Sequence, residues 1–281
     1  MPEAFPTAFD YTMMSTFLRC RKRYYFRIVR DIVGKTAPVA ADFGRAIHKA
    51  LKIWFSAQDP DKAIDAFISS FIEDPTDAKR THAVGRNILH RYFEKYAQEP
   101  FTVLENEKTF RIMIPGTNLY LIGRIDKIIN LDGVIYVMDH KTTSRLGYEF
   151  FYKIKPNMQF DGYITAARQM GYPKCDSVFL DVLLVAKGLL IPAQAAKLTP
   201  LARLPDTRSE SDLAKYLVNV RSILKDIASC YESGVWYENT EGCCDFVQCP
   251  YRRICKEDES IHEQVIKMDY MKSVWSPSEE D

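Results

Sequence analysis

With 281 residues, 47% of them hydrophobic, the chain has enough apolar side chains for one large domain, or for one domain with a helical addition. A formal net charge of +1 excludes a broadly basic coat, so nucleic-acid binding has to come from a local patch. No run approaches the roughly eighteen apolar residues of a membrane span, and the N-terminus lacks the basic-then-apolar order of a signal peptide; the expectation is a cytoplasmic protein with no membrane partner.

In chain order, Thr12 is the expected N-cap of a helix running through STFLRCRKRYYFRIV, with Phe17, Leu18, Tyr24, Tyr25 and Ile28 on its buried side. Arg19, Arg21, Lys22, Arg23, Arg27 and Arg30 surround Cys20 on that helix. Such cations could follow a phosphate backbone while aromatics offer stacking faces, or they could line a solvated helix whose aromatics are core. Asp42 to Ala57 is amphipathic, with Phe43, Ile47, Leu51 and Trp54 at helical spacing and His48 at the edge of that stripe. Further helices are expected at Asp61 to Ile72 and Ala78 to Gln98, and a strand at Phe101 to Ile114 carrying Glu105 and Glu107.

Leu119 to Arg145 is the informative stretch. Apolar runs flank Asn130-Leu131-Asp132-Gly133, a hairpin signal that puts Asp126 and Asp139 on neighbouring strands and makes a meander with the preceding strand. Alternation along a strand sends Asp139 and Lys141 to one face and His140 to the other. Two carboxylates and an ammonium therefore converge among isoleucines and valines, either as an ion pair at a strand end or as a site for a divalent cation. Beyond the hairpin, Phe151 to Met170 reads as a helix entered near Pro156, with Gln159 and Tyr163 one turn apart on one face. Ser177 to Val185 is a buried strand and Ser211 to Tyr231 a long helix; Lys187 to Arg208 between them is a Pro-containing connection of no assigned form. The tail from Lys256 is polar, and its last residues are expected to be mobile.

Cys243, Cys244, Cys249 and Cys255 crowd together, and in a reducing compartment such clustering points to metal ligation before disulfides. Four thiolates fit a [4Fe–4S] cluster or, equally by count, tetrahedral zinc. Cys175 and Cys230 look like buried thiols.

Helical His48, then G-R-I-D ending at Asp126, D-H-K-T from Asp139, and Q-F-D-G-Y from Gln159 to Tyr163, in this order, resemble the RecB-type branch of the PD-(D/E)xK nucleases. Cys20 in S-T-F-L-x-C, followed more than 200 residues later by Cys243 or Cys244, Cys249 and Cys255, is similar to the iron–sulfur subgroup. That subgroup includes CRISPR-associated adaptation nucleases, AddAB-type nuclease domains and phage exonucleases. The resemblance spans roughly Tyr11 to Cys255. It departs from the commoner C-x2-C form, and Arg21 stands where many relatives carry proline.

The resemblance implies an α/β (α+β) fold: a central mixed β-sheet flanked by helices, with a restriction-endonuclease-like core. It implies one nuclease domain over 1–281, with its core at about 40–190 and a polar tail at 257–281. Cluster-binding elements at about 11–33 and 235–256 would join the chain's two end segments through the cysteine-ligated cluster. His48, Asp126, Asp139 and the carbonyl of His140 would hold Mg²⁺ or Mn²⁺, with Lys141, Gln159 and Tyr163 completing the catalytic set. Glu107 matches a family acid, a place for which Glu105 competes. Cys20, Cys243 (or Cys244), Cys249 and Cys255 would hold the cluster, with Zn²⁺ as the alternative. Arg19, Arg21, Lys22, Arg23 and Arg27 would contact DNA, single-stranded or at ends. A helicase or a recombination or CRISPR-adaptation complex is the implied protein partner, since no P-loop occurs in these residues, and the compartment is the cytoplasm, the host's for a phage protein. The leading expectation is a metal-dependent DNA exonuclease; a catalytically silent DNA-binding module and a cluster-stabilised interaction factor are the competitors.

Overall fold

The first helix is capped two residues earlier than Thr12. Strand β1 (Ala8–Phe9) leads into α1 (Tyr11–Arg19), and Asp10 caps it, its Oδ1 accepting the Met13 N–H at 2.7 Å. The expected continuous helix breaks at Cys20, whose backbone is extended, and resumes as α2 (Arg21–Tyr24) and a π-turn over Tyr25–Val29. Segment 237–239 explains the break: Tyr237 O accepts the Lys22 N–H, and Asn239 Nδ2 donates to Arg19 O, in place of helical partners. The break turns the apolar face, so Phe17, Tyr24 and Phe26 are buried while Leu18 is exposed. Strand β2 (Ile32–Gly34) follows.

The computed structural model describes residues 4–35, 38–244 and 248–275. The chain divides into two compact units, one of Met1–Ala37, Arg111–Gly123 and Ala214–Glu279, the other of Pro38–Phe110, Arg124–Leu213 and Glu280–Asp281.

In the second unit, α3 (Val39–Ala57), α4 (Pro60–Ser70) and α5 (His82–Lys95) pack around Phe43, Ile47, Leu51, Trp54, Phe67 and Ile88, the first four being the stripe read from the sequence. Strands β3 (Thr102–Met113), β4 (Tyr120–Leu131) and β5 (Val134–Thr143) form the expected meander. Asp132 and Gly133, both at positive φ, make the two-residue turn that pairs Leu131 with Val134. At its other end, within the first unit, β4 pairs in parallel with β1.

Helix α6 (Tyr148–Phe151) and a turn precede α7 (Met158–Gln169). Pro156 stands outside α7, because Asn157 is the cap: its Oδ1 accepts from the N–H groups of Gln159 and Phe160. Strand β6 (Ser177–Leu184) is buried at every position and pairs in parallel with β5, which makes the sheet mixed. Beyond α8 (Pro192–Ala195), β7 (Leu201–Thr207) pairs antiparallel with β6. This strand was not expected in LARLPDT, since Pro205 breaks the pattern; it is tolerated because β7 is the edge of the sheet.

Helix α9 (Glu210–Ser233) begins in the second unit and continues in the first. There α10 (Arg252–Lys256), α11 (His262–Asp269) and β8 (Tyr270–Lys272) follow. The polar tail is thus structured over most of its length: β8 pairs with β2, and Phe26, Ile32, Tyr251, Ile254, Val265 and Tyr270 form a satellite core. The last residues, expected to be mobile, lie outside the described residues from 276 on. No helix among the described residues is long and apolar enough to cross a membrane.

The α4–α5 contact depends on Gly85, where an added Cβ would lie 2.1 Å from Cζ of the fully buried Phe67. Gly85→Ala should lower unfolding free energy by about 1–3 kcal/mol in a urea titration, the usual cost of overpacking; an unchanged midpoint would show that the Phe67 ring yields freely.

Candidate active site

Asp126 and Asp139 come from facing strands β4 and β5, next to the register pair Lys127–Met138, and both are nearly buried. The peptide N–H of His140 donates to Asp126 Oδ2 at 2.7 Å. Lys141 Nζ faces the Asp139 carboxylate, 3.0 Å from Oδ1 and 2.9 Å from Oδ2. The alternation read from the sequence holds: Asp139 and Lys141 meet, while the His140 ring reaches Lys127 instead.

Helix α3 brings His48 Nδ1 to 3.4 Å from Asp126 Oδ2. Its close approach to β5 passes through Gly44, where a Cβ would meet Thr142 Oγ1 at 3.3 Å. On β3, Glu107 adopts φ 52°, the left-handed region that costs a non-glycine residue on the order of 1–3 kcal/mol. Its Oε2 pairs with Arg124 Nε at 3.0 Å, whereas its buried Oε1 has no hydrogen-bond partner. Glu105, the competing acid, is occupied elsewhere by Tyr172 and Lys108. His48, Glu107 and Asp126 offer ligand atoms that all lie within 4.8 Å of one another. An imidazole and two carboxylates at that spacing, one oxygen orphaned, suit a hard divalent cation that also accepts nitrogen, Mn²⁺ as well as Mg²⁺.

The electrostatics agree. Burial raises the Asp139 carboxyl, and the Asp126 charge adds to this against Lys141. Burial also acts on Asp126, but His48, with His140 and Lys127, outweighs it and holds that carboxyl low. Burial, then Asp126, pushes Glu107 up. His48 is raised, the carboxylates of Asp126 and Asp139 overcoming its burial. A cluster in which acids compete for cations is one that a divalent ion would relieve.

On α7, Gln159 Nε2 donates to the Tyr163 hydroxyl at 2.9 Å. The tyrosine is pushed well above the ordinary range by burial and then by the charges of Asp139 and Asp126. The buried guanidinium of Arg208 fixes α7 by binding Asp161 Oδ1 at 2.6 Å and the Ile154 carbonyl. Arg124 is a site residue for which sequence reasoning assigned no role, although the G-R-I-D motif contains it.

Cys20, Cys243, Cys249 and Cys255 lie in the first unit. Cys20 Sγ accepts the Asn239 N–H at 3.4 Å, and Cys243 Sγ donates to Asn239 O at 3.4 Å. Burial lifts the Cys255 thiol to about 12, with Glu238, Cys249 and Cys20 adding to it. The Cys244 side chain, the alternative to Cys243, lies outside the described ones. Thiols from both ends of the chain, one with an N–H···S bond, fit a cluster ligand set. Of the cations beside Cys20, Arg19 is exposed, Arg21 lies 4.9 Å from the ring centroids of both Phe17 and Tyr237, and Lys22 flanks Tyr25 and Phe26. Arg23 is half-buried. Arg27 binds Ser273 O and Arg30 binds Glu263, so both help hold the C-terminal segment.

Residues 9–256 match the sequence model of the PD-(D/E)XK nuclease superfamily. The chain belongs to that superfamily. Its mixed sheet flanked by helices is the restriction-endonuclease-like core of these nucleases, and superfamily members use divalent metals. A candidate exonuclease from Eubacterium rectale is similar in fold, with a TM-score of 0.54 at 14% identity over 92% of each chain. An alkaline exonuclease from Laribacter hongkongensis overlaps more loosely, with a TM-score of 0.31 and 12% identity over 66% of this chain and 89% of that one. No curated protein matches the chain.

For this PD-(D/E)XK nuclease, Glu107→Gln should melt higher than wild type in chelator at neutral pH, because the raised carboxyl is a charge that folding disfavours. The same variant should gain less on adding Mn²⁺. Thermal unfolding with and without metal checks both; a lower melting point in chelator would contradict the electrostatic reading.

Proposed function

We propose that this chain is a Mg²⁺- or Mn²⁺-dependent exonuclease that removes nucleotides from single-stranded DNA or DNA ends, in recombination, repair, replication or phage DNA metabolism. The observation that carries the reading is the convergence of His48, Glu107 and Asp126 beside Asp139 and Lys141. His48, Glu107, Asp126 and Asp139, with the His140 carbonyl, would hold the cation. That cation supplies Lewis acidity toward phosphoryl oxygens and makes a water proton easier to lose. Lys141 carries the positive charge that offsets the negative charge growing on the phosphoryl group. Gln159 and Tyr163, joined by their hydrogen bond, would border the strand. The description of the Eubacterium rectale protein as a candidate exonuclease supports the assignment to ends.

Cys20, Cys243, Cys249 and Cys255 would hold a [4Fe–4S] cluster, with Zn²⁺ as the alternative; the approach of both Cys20 and Cys243 to Asn239 supports one shared ligand set. Its role would be structural, in an element whose Arg19, Arg21, Lys22, Arg23 and Arg27 meet DNA phosphates.

The test is incubation of anaerobically purified protein with end-labelled single- and double-stranded DNA in Mg²⁺, Mn²⁺ or chelator. Stepwise shortening that chelator stops is expected. Asp126→Ala and Asp139→Asn should abolish it, and Lys141→Ala should lower kcat on the order of 10²–10³-fold. His48→Ala should be milder and depend on the metal. Near-normal cleavage by Asp139→Asn overturns the site; DNA binding without cleavage by wild type makes the chain a silent module.

Cys20→Ser should lose iron and brown colour yet keep its C-terminal segment protected from protease, because the β2–β8 pairing and the Tyr251 hydroxyl on Ile32 O hold that segment independently. Retained iron in Cys20→Ser would remove Cys20 from the ligand set.

A further inference from the structure

Asp126 and Asp139 each have a chain neighbour on the reverse face of the sheet, Lys127 and His140, and these two belong to a row of charged groups. His140 sits opposite Asp181 in the β5–β6 ladder, and Asp181 sits opposite Arg203 in the β6–β7 ladder. Lys127, next to Asp126 on β4, brings Nζ to 2.8 Å from His140 Nε2, and His140 Nδ1 lies 3.1 Å from Asp181 Oδ2. Arg203 Nε lies 3.3 Å from Asp181 Oδ1, and its other nitrogens bind Glu99 at 2.5 and 2.7 Å. From α5, the Tyr92 hydroxyl donates to Asp181 Oδ2 at 2.5 Å. Lys127, His140 and Asp181 are essentially inaccessible to water.

The His140 ring therefore sits between the Lys127 ammonium at one nitrogen and the Asp181 carboxylate beyond the other, and Asp181 is in turn held by Tyr92 and Arg203.

A buried ionic row is weak evidence for a gain in stability. Buried ionic groups are commonly replaced by apolar side chains of similar size at no loss, and often at a gain. What the row does provide is a grip on one peptide: the His140 ring is held from behind, while its N–H is bonded to Asp126 at the site. We propose that Lys127, His140, Asp181 and Arg203, with Tyr92 and Glu99, are positioning residues that hold the Asp139–His140–Lys141 backbone in register with Asp126 for the divalent cation, an inference that rests on the metal-site reading above. Their side chains act as outer partners act on ligating groups elsewhere, without themselves touching cation or substrate.

The experiment titrates Mn²⁺ into the full chain by calorimetry after loosely bound divalent ions have been removed. It also measures unfolding in chelator, and kcat and KM for single-stranded DNA at saturating Mn²⁺. Asp181→Asn should weaken Mn²⁺ binding about 10–100-fold. Tyr92→Phe, which removes one hydroxyl and keeps the ring, should weaken it less and carries the test if Asp181→Asn does not fold. KM for DNA should not move. Val84→Ala, a core change two turns before Tyr92 on α5, should lower stability and leave Mn²⁺ affinity alone. Wild-type affinity in folded Asp181→Asn and Tyr92→Phe overturns the inference while leaving the site intact, provided Asp126→Ala has lost binding. If wild type takes up no Mn²⁺, or Asp126→Ala binds as wild type does, the site reading fails and this inference falls with it.

Discussion

The bond from the His140 N–H to Asp126 Oδ2 is the constraint on which the site depends. It fixes a carboxylate of β4 against the backbone of β5 just where Asp139 and Lys141 flank that peptide. With Glu107 turned inward from β3, the acids are brought closer than carboxylates in water would stay. His48, Lys141 and Arg124 compensate in part. The remaining imbalance, seen in raised Asp139 and Glu107 and in the orphaned Glu107 oxygen, is what a divalent cation would neutralise.

The hairpin was legible because two strong local signals coincide there. Asp-Gly supplies the positive φ that a two-residue turn demands, and β-branched runs on either side set the alternation. The α3 stripe was legible for the same reason, periodicity with burial behind it. The elements that escaped or shifted are those where tertiary partners decide. Segment 237–239 breaks the first helix at Cys20, more than 200 residues away in the chain. Strand β7 exists because β6 offers an open edge, and Asp10 displaces Thr12 as cap by geometry that composition does not express.

The site divides similarly. Asp126, Asp139, Lys141 and His48 were readable from motif and alternation. The choice between Glu107 and Glu105 was not, because it turns on one left-handed residue in a strand. The buried row behind the site left only a faint trace: a single aspartate in the otherwise apolar SVFLDVLL, and a lysine following Asp126. Whether such a residue is exposed or buried depends on helices that pack over it. At the chain's two ends, the satellite core around Phe26, Tyr251 and Tyr270 does part of the clasping that the cysteine pattern alone had suggested for a cluster.

The most direct test of the central claim is anomalous diffraction from crystals soaked in Mn²⁺, recorded on both sides of the manganese edge. The account predicts a peak bounded by His48 Nδ1, the carboxylates of Glu107, Asp126 and Asp139, and the His140 carbonyl. A peak elsewhere on the chain, with none among these groups at saturating Mn²⁺, would contradict it.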